Sequence, residues 1–211
     1  VSISGRGDNM PLKFSEMVEL RVLTGQVVGY RALRDYNRVA FIAMKNLLCT
    51  AIASSMESSY ISATGGECRY FVLDEDYEDT ADEVEKYSPN LIVVFVGGSK
   101  EFDSLREVLY NLFAALAKRE IDSDFMFHLY TSQKVGLDVL REDEDIRNYL
   151  ADKRLMTYTA NFDDGLVEIR DLYLLEGEIY SEVVEEYPIS FRHTRIFNQG
   201  LKGRIVRFEE E

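Results

Sequence analysis

Two hundred and eleven residues, 46% of them hydrophobic and 29% charged with only three prolines, supply ample chain for a packed core and exclude disorder as the default. Lysine and arginine number 24 against 38 aspartates and glutamates, and the resulting net charge of −14 repels phosphate backbones and anionic lipid, so general nucleic-acid binding is disfavoured. Two cysteines, Cys49 and Cys68, make no disulfide framework, and two histidines, His128 and His193, make no multi-histidine metal cage.

The chain opens VSISGRGDNM, without the apolar core of a signal peptide, so secretion by that route is not expected. Arg6-Gly7-Asp8 matches an adhesion tripeptide, but three residues in a polar N-terminus recur too easily by chance to carry an argument. Residues 12–30, LKFSEMVELRVLTGQVVGY, mix short apolar stretches with Gly25 and Gly29 and read as an extended arm, which would span 1–30, or as strands. From Asp35 as N-cap, YNRVAFIAMKNLLCTAIASSM has apolar residues at 39, 42, 43, 47, 48, 51 and 52, the spacing of one long helix. Ala40, Ala43, Ala51, Ala53 and Ser54 widen its apolar surface, as in a helix covered on more than one side.

Gly65-Gly66 turns the chain into the strand ECRYFVL, followed by DEDYEDTADEVE, a solvent-facing tract with eight acidic residues between 74 and 85. Ser88-Pro89-Asn90 then introduces LIVVFV, a β-rich apolar run that fits a central strand buried on both faces. Gly97-Gly98-Ser99-Lys100 ends it. Ser104 and Glu107 form an S-x-x-E capping box for a helix whose stripe is Leu105, Val108, Leu109, Leu112 and Leu116. FMFHLYT alternates as the next strand, giving a strand–helix–strand unit with a parallel pair at its centre. Residues 137–155 read as one or two short charged helices around Leu137, Leu140, Ile146, Tyr149 and Leu150. After Asp163-Asp164-Gly165, the runs LVEIRDLYLL, EIYSEVVEEY, ISFRHTRIF and RIVRF make an antiparallel, β-rich C-terminal third with Gly177 as the hairpin corner. The expectation is a single α+β domain over residues 1–211, a mixed central sheet flanked by helices. No central apolar run approaches the roughly 20 residues of a membrane helix, so no membrane partner is expected.

The Gly97–Lys100 turn joins a buried strand to a capped helix, where exposed backbone donors could hold an anion. It is neither a Walker A loop nor a Rossmann fingerprint, and Asp103 would repel a phosphate there, so a tight structural turn explains it as well. Asp74, Asp76, Glu78, Asp82 and Glu85 imitate positions 1, 3, 5, 9 and 12 of a calcium loop, but Asp79 stands where the sharp turn wants glycine. A strand-like segment precedes the tract where a calcium loop needs a helix, so no specific metal is expected. No lysine has an acidic residue two positions before it, and there is no G-x-S-x-G elbow or H-E-x-x-H, so nuclease, hydrolase and zinc-protease readings lack their local geometry. His128 and His193 sit in strand-like runs with no nucleophile beside them, and the cysteines read as buried thiols.

Charge is unevenly placed, at +3 over residues 1–50, −19 over residues 51–186 and +5 over residues 187–207. If these blocks occupy different faces, a basic edge formed by Arg192, Arg195, Arg204 and Arg207 can meet an acidic face carrying Asp74, Asp76, Asp79, Asp82, Glu182 and Glu185 on a neighbour. The alternative places both blocks on one solvated surface. Tyr173, Tyr180, Tyr187, Phe191, Phe197 and Phe208, spread through the same strands, serve either a core or an interface. In element order, with its early helix DYNRVAFIAMKNLLCTAIASSM, then PNLIVVFV, SLREVLYNLFAALAK and EYPISFRHTRIF, the chain resembles the tail-terminator and neck-connector proteins of tailed bacteriophages. That resemblance implies a non-enzymatic virion component working in a ring through contacts with itself and neighbouring structural proteins, made in the cytoplasm and free of cofactors. Two alternatives stand beside it: a small anion- or nucleotide-binding α/β domain or enzyme using the Gly97–Lys100 turn, and an acidic regulator of a basic partner.

Overall fold

Six consecutive residues of RVAFIAM are buried, as only a strand covered on both faces allows, and this run is β1 (Arg38–Met44). Lys45 and Asn46 interrupt the apolar pattern, and the Asn46 side chain accepts the Cys49 N–H at 2.9 Å to cap α2 (Leu47–Thr64). Gly65, with φ at 64°, ends that helix in the left-handed region. The single long helix expected from Asp35 is therefore a strand followed by a helix, because a run apolar at nearly every position fits the helical spacing without being helical. The computed structural model describes residues 13–97, 101–129, 131–161, 164–175, 178–190 and 194.

The expected extended arm is also corrected over its described part, which is helix α1 (Phe14–Arg31). Gly25 and Gly29 are there for close approach: a Cβ on Gly29 would lie 2.2 Å from the Met56 carbonyl oxygen, and one on Gly25 2.7 Å from that of Ile52. With these glycines, α1 packs its backbone against α2, and Ser55 Oγ donates to the Val22 carbonyl at 2.7 Å across the seam.

The remaining elements are β2 (Glu67–Leu73), α3 (Tyr77–Tyr87), β3 (Leu91–Phe95), α4 (Phe102–Lys118), β4 (Asp124–Phe127), a π-helical turn (Thr131–Gly136), α5 (Asp138–Glu142), α6 (Glu144–Leu150), β5 (Leu155–Asn161), β6 (Leu166–Leu174) and β7 (Ile179–Pro188). The acidic tract begins as a loop and becomes α3, whose Thr80, Ala81 and Val84 face inward. Helix α4 starts after Glu101, so Ser104 lies inside its first turn and the expected capping box is not the cap; the expected stripe is buried as read. Strand β5 was not anticipated. Gly177 lies outside the described residues, but β6 and β7 pair up to Leu174 and Ile179 on either side of it.

All seven strands form one mixed sheet in the order β2-β1-β3-β4-β5-β6-β7, with β1 to β5 parallel and β6 and β7 antiparallel. Helices α1 and α2 make one packed group, while α3 packs on α4, and α4 on α5 and α6. The two groups cover opposite faces, because β1 and β3 are buried on both. No helix among the described residues is long and apolar enough to cross a membrane.

Candidate functional site

In a parallel sheet wound in both directions, the chain leaves two neighbouring strands toward opposite sides, and their carboxyl ends part to leave a crevice. Here the neighbours are β1 and β3: α2 carries the chain outward to β2, and α4 carries it the other way to β4. Side chains at that point are polar and oriented. Asn46 Nδ2 donates to the buried Gly97 carbonyl at 3.0 Å and to Cys49 Sγ at 3.2 Å, while its Oδ1 caps α2. One amide thus ties the end of β1, the end of β3 and the helix N-terminus together. Burial pushes the Cys49 thiol up, against the pull of the Asn46 hydrogen bond and the Arg21 charge.

The neighbouring strand end is pinned in the same manner. Thr131 Oγ1 accepts the Val96 N–H at 3.0 Å and donates to the Val96 carbonyl at 2.9 Å. His128, just past β4, packs its ring against Phe95 and Tyr158, with centroids 5.6 and 5.7 Å away, and its Nδ1 is 2.5 Å from Tyr158 Oη. Burial, helped by the Arg21 charge, holds this imidazole down at about 3, and burial pushes the Tyr158 hydroxyl up.

A second polar group lies where β5 meets β6. Glu168 and Arg170, 7% and 8% exposed, form an ion pair at 2.8 Å. Thr159 and Asn161 donate to the Glu168 carboxylate, and Arg170 donates to Thr159 and to Ser181 on β7. Burial raises the Glu168 carboxyl, and the Arg170 guanidinium with the Asn161 and Thr159 hydrogen bonds more than reverses this, leaving it below the usual carboxylate range. Every member is partnered, so the group is a built structural network rather than an open site.

The residues singled out from sequence scatter. Asp74, Asp76 and Asp79 are exposed beside β2 and α3, on the border of an open groove of about 280 Å³, at one edge of the sheet. They form no metal cage: Asp76 caps α3, while Glu78 and Asp82 grip Arg119 of α4 at 2.7 and 2.6 Å. Among the described residues no group of three or more His, Cys, Asp or Glu is placed to hold a metal ion. Glu182 and Glu185 are exposed on β7, at the opposite edge. Arg192, Arg195, Arg204 and Arg207, like His193 and Gly98 to Lys100 of the expected anion-binding turn, lie outside the described residues. Asn46, Arg21, Thr131 and Tyr158 were not singled out; the signal for Asn46 was a capping residue directly after a both-faces-buried apolar run.

A family model described as "Uncharacterized protein" matches residues 17–196. No curated protein matches the sequence. Among solved structures, a protein from Rhodospirillum rubrum, provisionally titled a branched-chain amino acid ABC transporter, superposes with a TM-score of 0.51 at 14% identity, covering 66% of this chain and 37% of its own. A solute-binding protein of an ABC transporter from R. palustris, in complex with 4-hydroxybenzoate, gives a TM-score of 0.49 at 10% identity, covering 82% of this chain and 65% of that one. A leucine-binding protein from Thermotoga maritima gives 0.47 at 9% identity, covering 69% and 38%. The chain spans less than two thirds of the length of each of these structures. The fold shared with the R. rubrum protein overturns the resemblance to phage tail-terminator and neck proteins, on which the virion ring, the homo-oligomeric and structural-protein partners and the cytoplasmic or virion location all rested. The physical reason is that the supposed early helix is the strand and helix that open a doubly wound sheet.

Proposed function

From the premise that the chain belongs to the family matched over residues 17–196, we propose that it is a non-enzymatic α/β domain that binds a small molecule carrying an anionic group. The binding place is the crevice at the carboxyl ends of β1 and β3. The observation that carries this is the switch point itself, occupied by Asn46, the α2 N-terminus and the Gly97 carbonyl. A helix N-terminus favours a negative group, and the expected anion-binding alternative is the sequence reading that fits the fold. The fold shared with the R. rubrum protein supports holding a solute, and amino acids with branched chains are the first probes it suggests. Holding rather than turnover is also what the chemistry supports. An imidazole held at about 3 is a poor base at neutral pH, and a thiol raised by burial is a poor nucleophile.

The test is hydrogen exchange with thermal melting in saturating leucine or inorganic phosphate. A ligand at a hundred times its Kd stabilises by about 2.7 kcal/mol, and residues 44–50, 96–101 and 128–132 gain protection together. A melting shift with protection confined to other segments, or no shift with either probe or with a wider panel of carboxylates, refutes the assignment.

A further inference from the structure

Beside the seam that Gly25 and Gly29 close between α1 and α2, the two helices and the end of β7 border an open groove of about 490 Å³. That volume falls within the range of small-molecule sites, about 300–1,000 Å³. Helix α1 contributes Gln26, Tyr30 and Arg31, whose spacing puts them on one side of the helix, and α2 faces them with Ser58, Ser59 and Ser62. Strand β7 closes the end with Tyr187.

The lining selects against ions of either sign. The chain has 38 acidic residues, yet among the described residues none lines this groove, so a cation finds no partner there. Arg31 has no carboxylate partner among the described residues, unlike Arg106 and Arg119, which hold Asp138 and Asp82 at 2.6 Å; its guanidinium lies 5.1 Å from the centre of the Tyr30 ring. An anion meets that guanidinium but also the last turns of α1 and α2, which carry Arg31 and Ser62 and present the negative ends of both helix dipoles. What remains is neutral hydrogen-bonding capacity. Ser58 and Ser59 make no side-chain hydrogen bond among the described residues, and Ser62 donates to the Ser58 carbonyl at 2.9 Å while its oxygen can still accept. The Tyr187 hydroxyl is buried without a hydrogen-bond partner among the described residues, an unfavourable state that a polar group reaching it relieves.

We propose that this groove binds a neutral sugar, with a C–H face of its ring packed on Tyr30, its hydroxyls shared among Ser58, Ser59, Gln26 and Arg31, and one of them reaching Tyr187. Sugars match both features of the lining, because their hydroxyls donate and accept while their C–H faces are apolar enough to cover an aromatic ring. The site is separate from the crevice at β1 and β3 and does not depend on it.

Titrating the full ¹⁵N-labelled chain with glucose, mannose and maltose, followed through its amide shifts, tests this. Expected are saturable shifts at residues 26–31 and 58–62 and at Tyr187 with at least one of the three, and at least a tenfold loss of affinity in Tyr30→Ala and in S58A/S59A. Tyr187→Phe separates a binding role from a structural one: it keeps the ring, so Tm should be no lower than in wild type, while sugar affinity should fall at least threefold. Equal affinity in that variant removes Tyr187 from the site. No saturable shift with any of the three sugars, or shifts confined to other segments, overturns the proposal. So does glucuronate or glucosamine binding at least tenfold tighter than glucose, which would make the occupant an ion. Leucine and phosphate report on residues 44–50 and 96–101, so the two sites fail or stand separately.

Discussion

Replacing Asn46 by alanine removes two distinct interactions at one position, and their sizes can be set beforehand. Loss of the N-cap acceptor for Cys49 N–H costs about 1 kcal/mol. Loss of the Nδ2 donor leaves the buried Gly97 carbonyl without it, a further cost of about 1–3 kcal/mol. The expected total is about 2–4 kcal/mol, which in a chain of this size lowers Tm by about 4–16 °C. Asn46→Asp separates the two parts: the carboxylate still accepts from Cys49 and gains about 0.3–1 kcal/mol from the α2 dipole, but it cannot donate to Gly97. Aspartate is therefore expected to fall between wild type and alanine. Urea unfolding of the three proteins reads this directly, through the midpoint at constant m-value. An alanine variant within about 0.5 kcal/mol of wild type would mean that Asn46 does not tie β1, β3 and α2 together, because ordinary surface changes already span that range. Alanine and aspartate variants of equal stability would instead assign the whole effect to the Gly97 hydrogen bond.

Gly29→Ala adds a methyl 2.2 Å from the Met56 carbonyl oxygen, and backbone atoms cannot turn aside. The helix-propensity gain of about 1 kcal/mol is outweighed by overpacking, and a net loss of about 2 kcal/mol is expected in the same urea experiment; a stabilised variant refutes the close-approach reading. His128 binds its proton at about 3 when folded and near 6.5 when unfolded, so the folded form contributes stability above pH 6.5 that is lost as pH falls toward 3. Between pH 6.5 and 5 wild type should lose about 1.6 kcal/mol more than His128→Asn, and parallel pH profiles would show that the imidazole is not enclosed. Arg170→Met strands the buried Glu168 carboxylate and is expected to cost about 3–5 kcal/mol, whereas Glu168→Leu with Arg170→Met recovers most of it; a double variant as weak as the single one would show that the ion pair contributes net stability.

The parts of the fold legible in sequence are those where pattern and breaker agree. LIVVFV is legible because Pro89 and Gly97 bound it, and the stripe from Leu105 to Leu116 because it keeps one helical period; both are found where expected. RVAFIAMKNLLCTAIASSM misleads because a strand buried on both faces has no period, so its apolar residues satisfy any spacing imposed on them; only Lys45-Asn46 marks the boundary. In α1, Gly25 and Gly29 look like helix breakers to local propensity alone. Their separation of four places both on one helical face, and the backbone of α2 that needs that face bare is a tertiary fact. The site was legible only in part. Gly97, at the end of β3, stands out in the sequence, but its partner Asn46 sits 51 residues away and is joined to it by the sheet order rather than by any local motif.

Charge illustrates the same gap between sequence blocks and surfaces. The middle of the chain is strongly acidic as a stretch, yet the sheet sends its carboxylates to opposite edges with different fates. At the β2 edge they are used locally: Asp76 caps α3, Glu78 and Asp82 hold Arg119, and Glu83 lies 3.7 Å from Arg69. At the β7 edge, Glu182, Glu185 and Glu186 meet further carboxylates or none of the described cations. Electrostatic complementarity is thus concentrated on one strand rather than one half of the molecule. A surface pair is worth only about 0–1 kcal/mol, so the pairs at the β2 edge matter chiefly for where α3 sits, while on β7 Glu182 and Glu186 stand opposite carboxylates of β6. Raising salt should therefore slow β7 amide exchange, because screening relieves the repulsion between Glu182 and Asp171 and between Glu186 and Glu168; exchange that salt leaves unchanged or speeds would refute this.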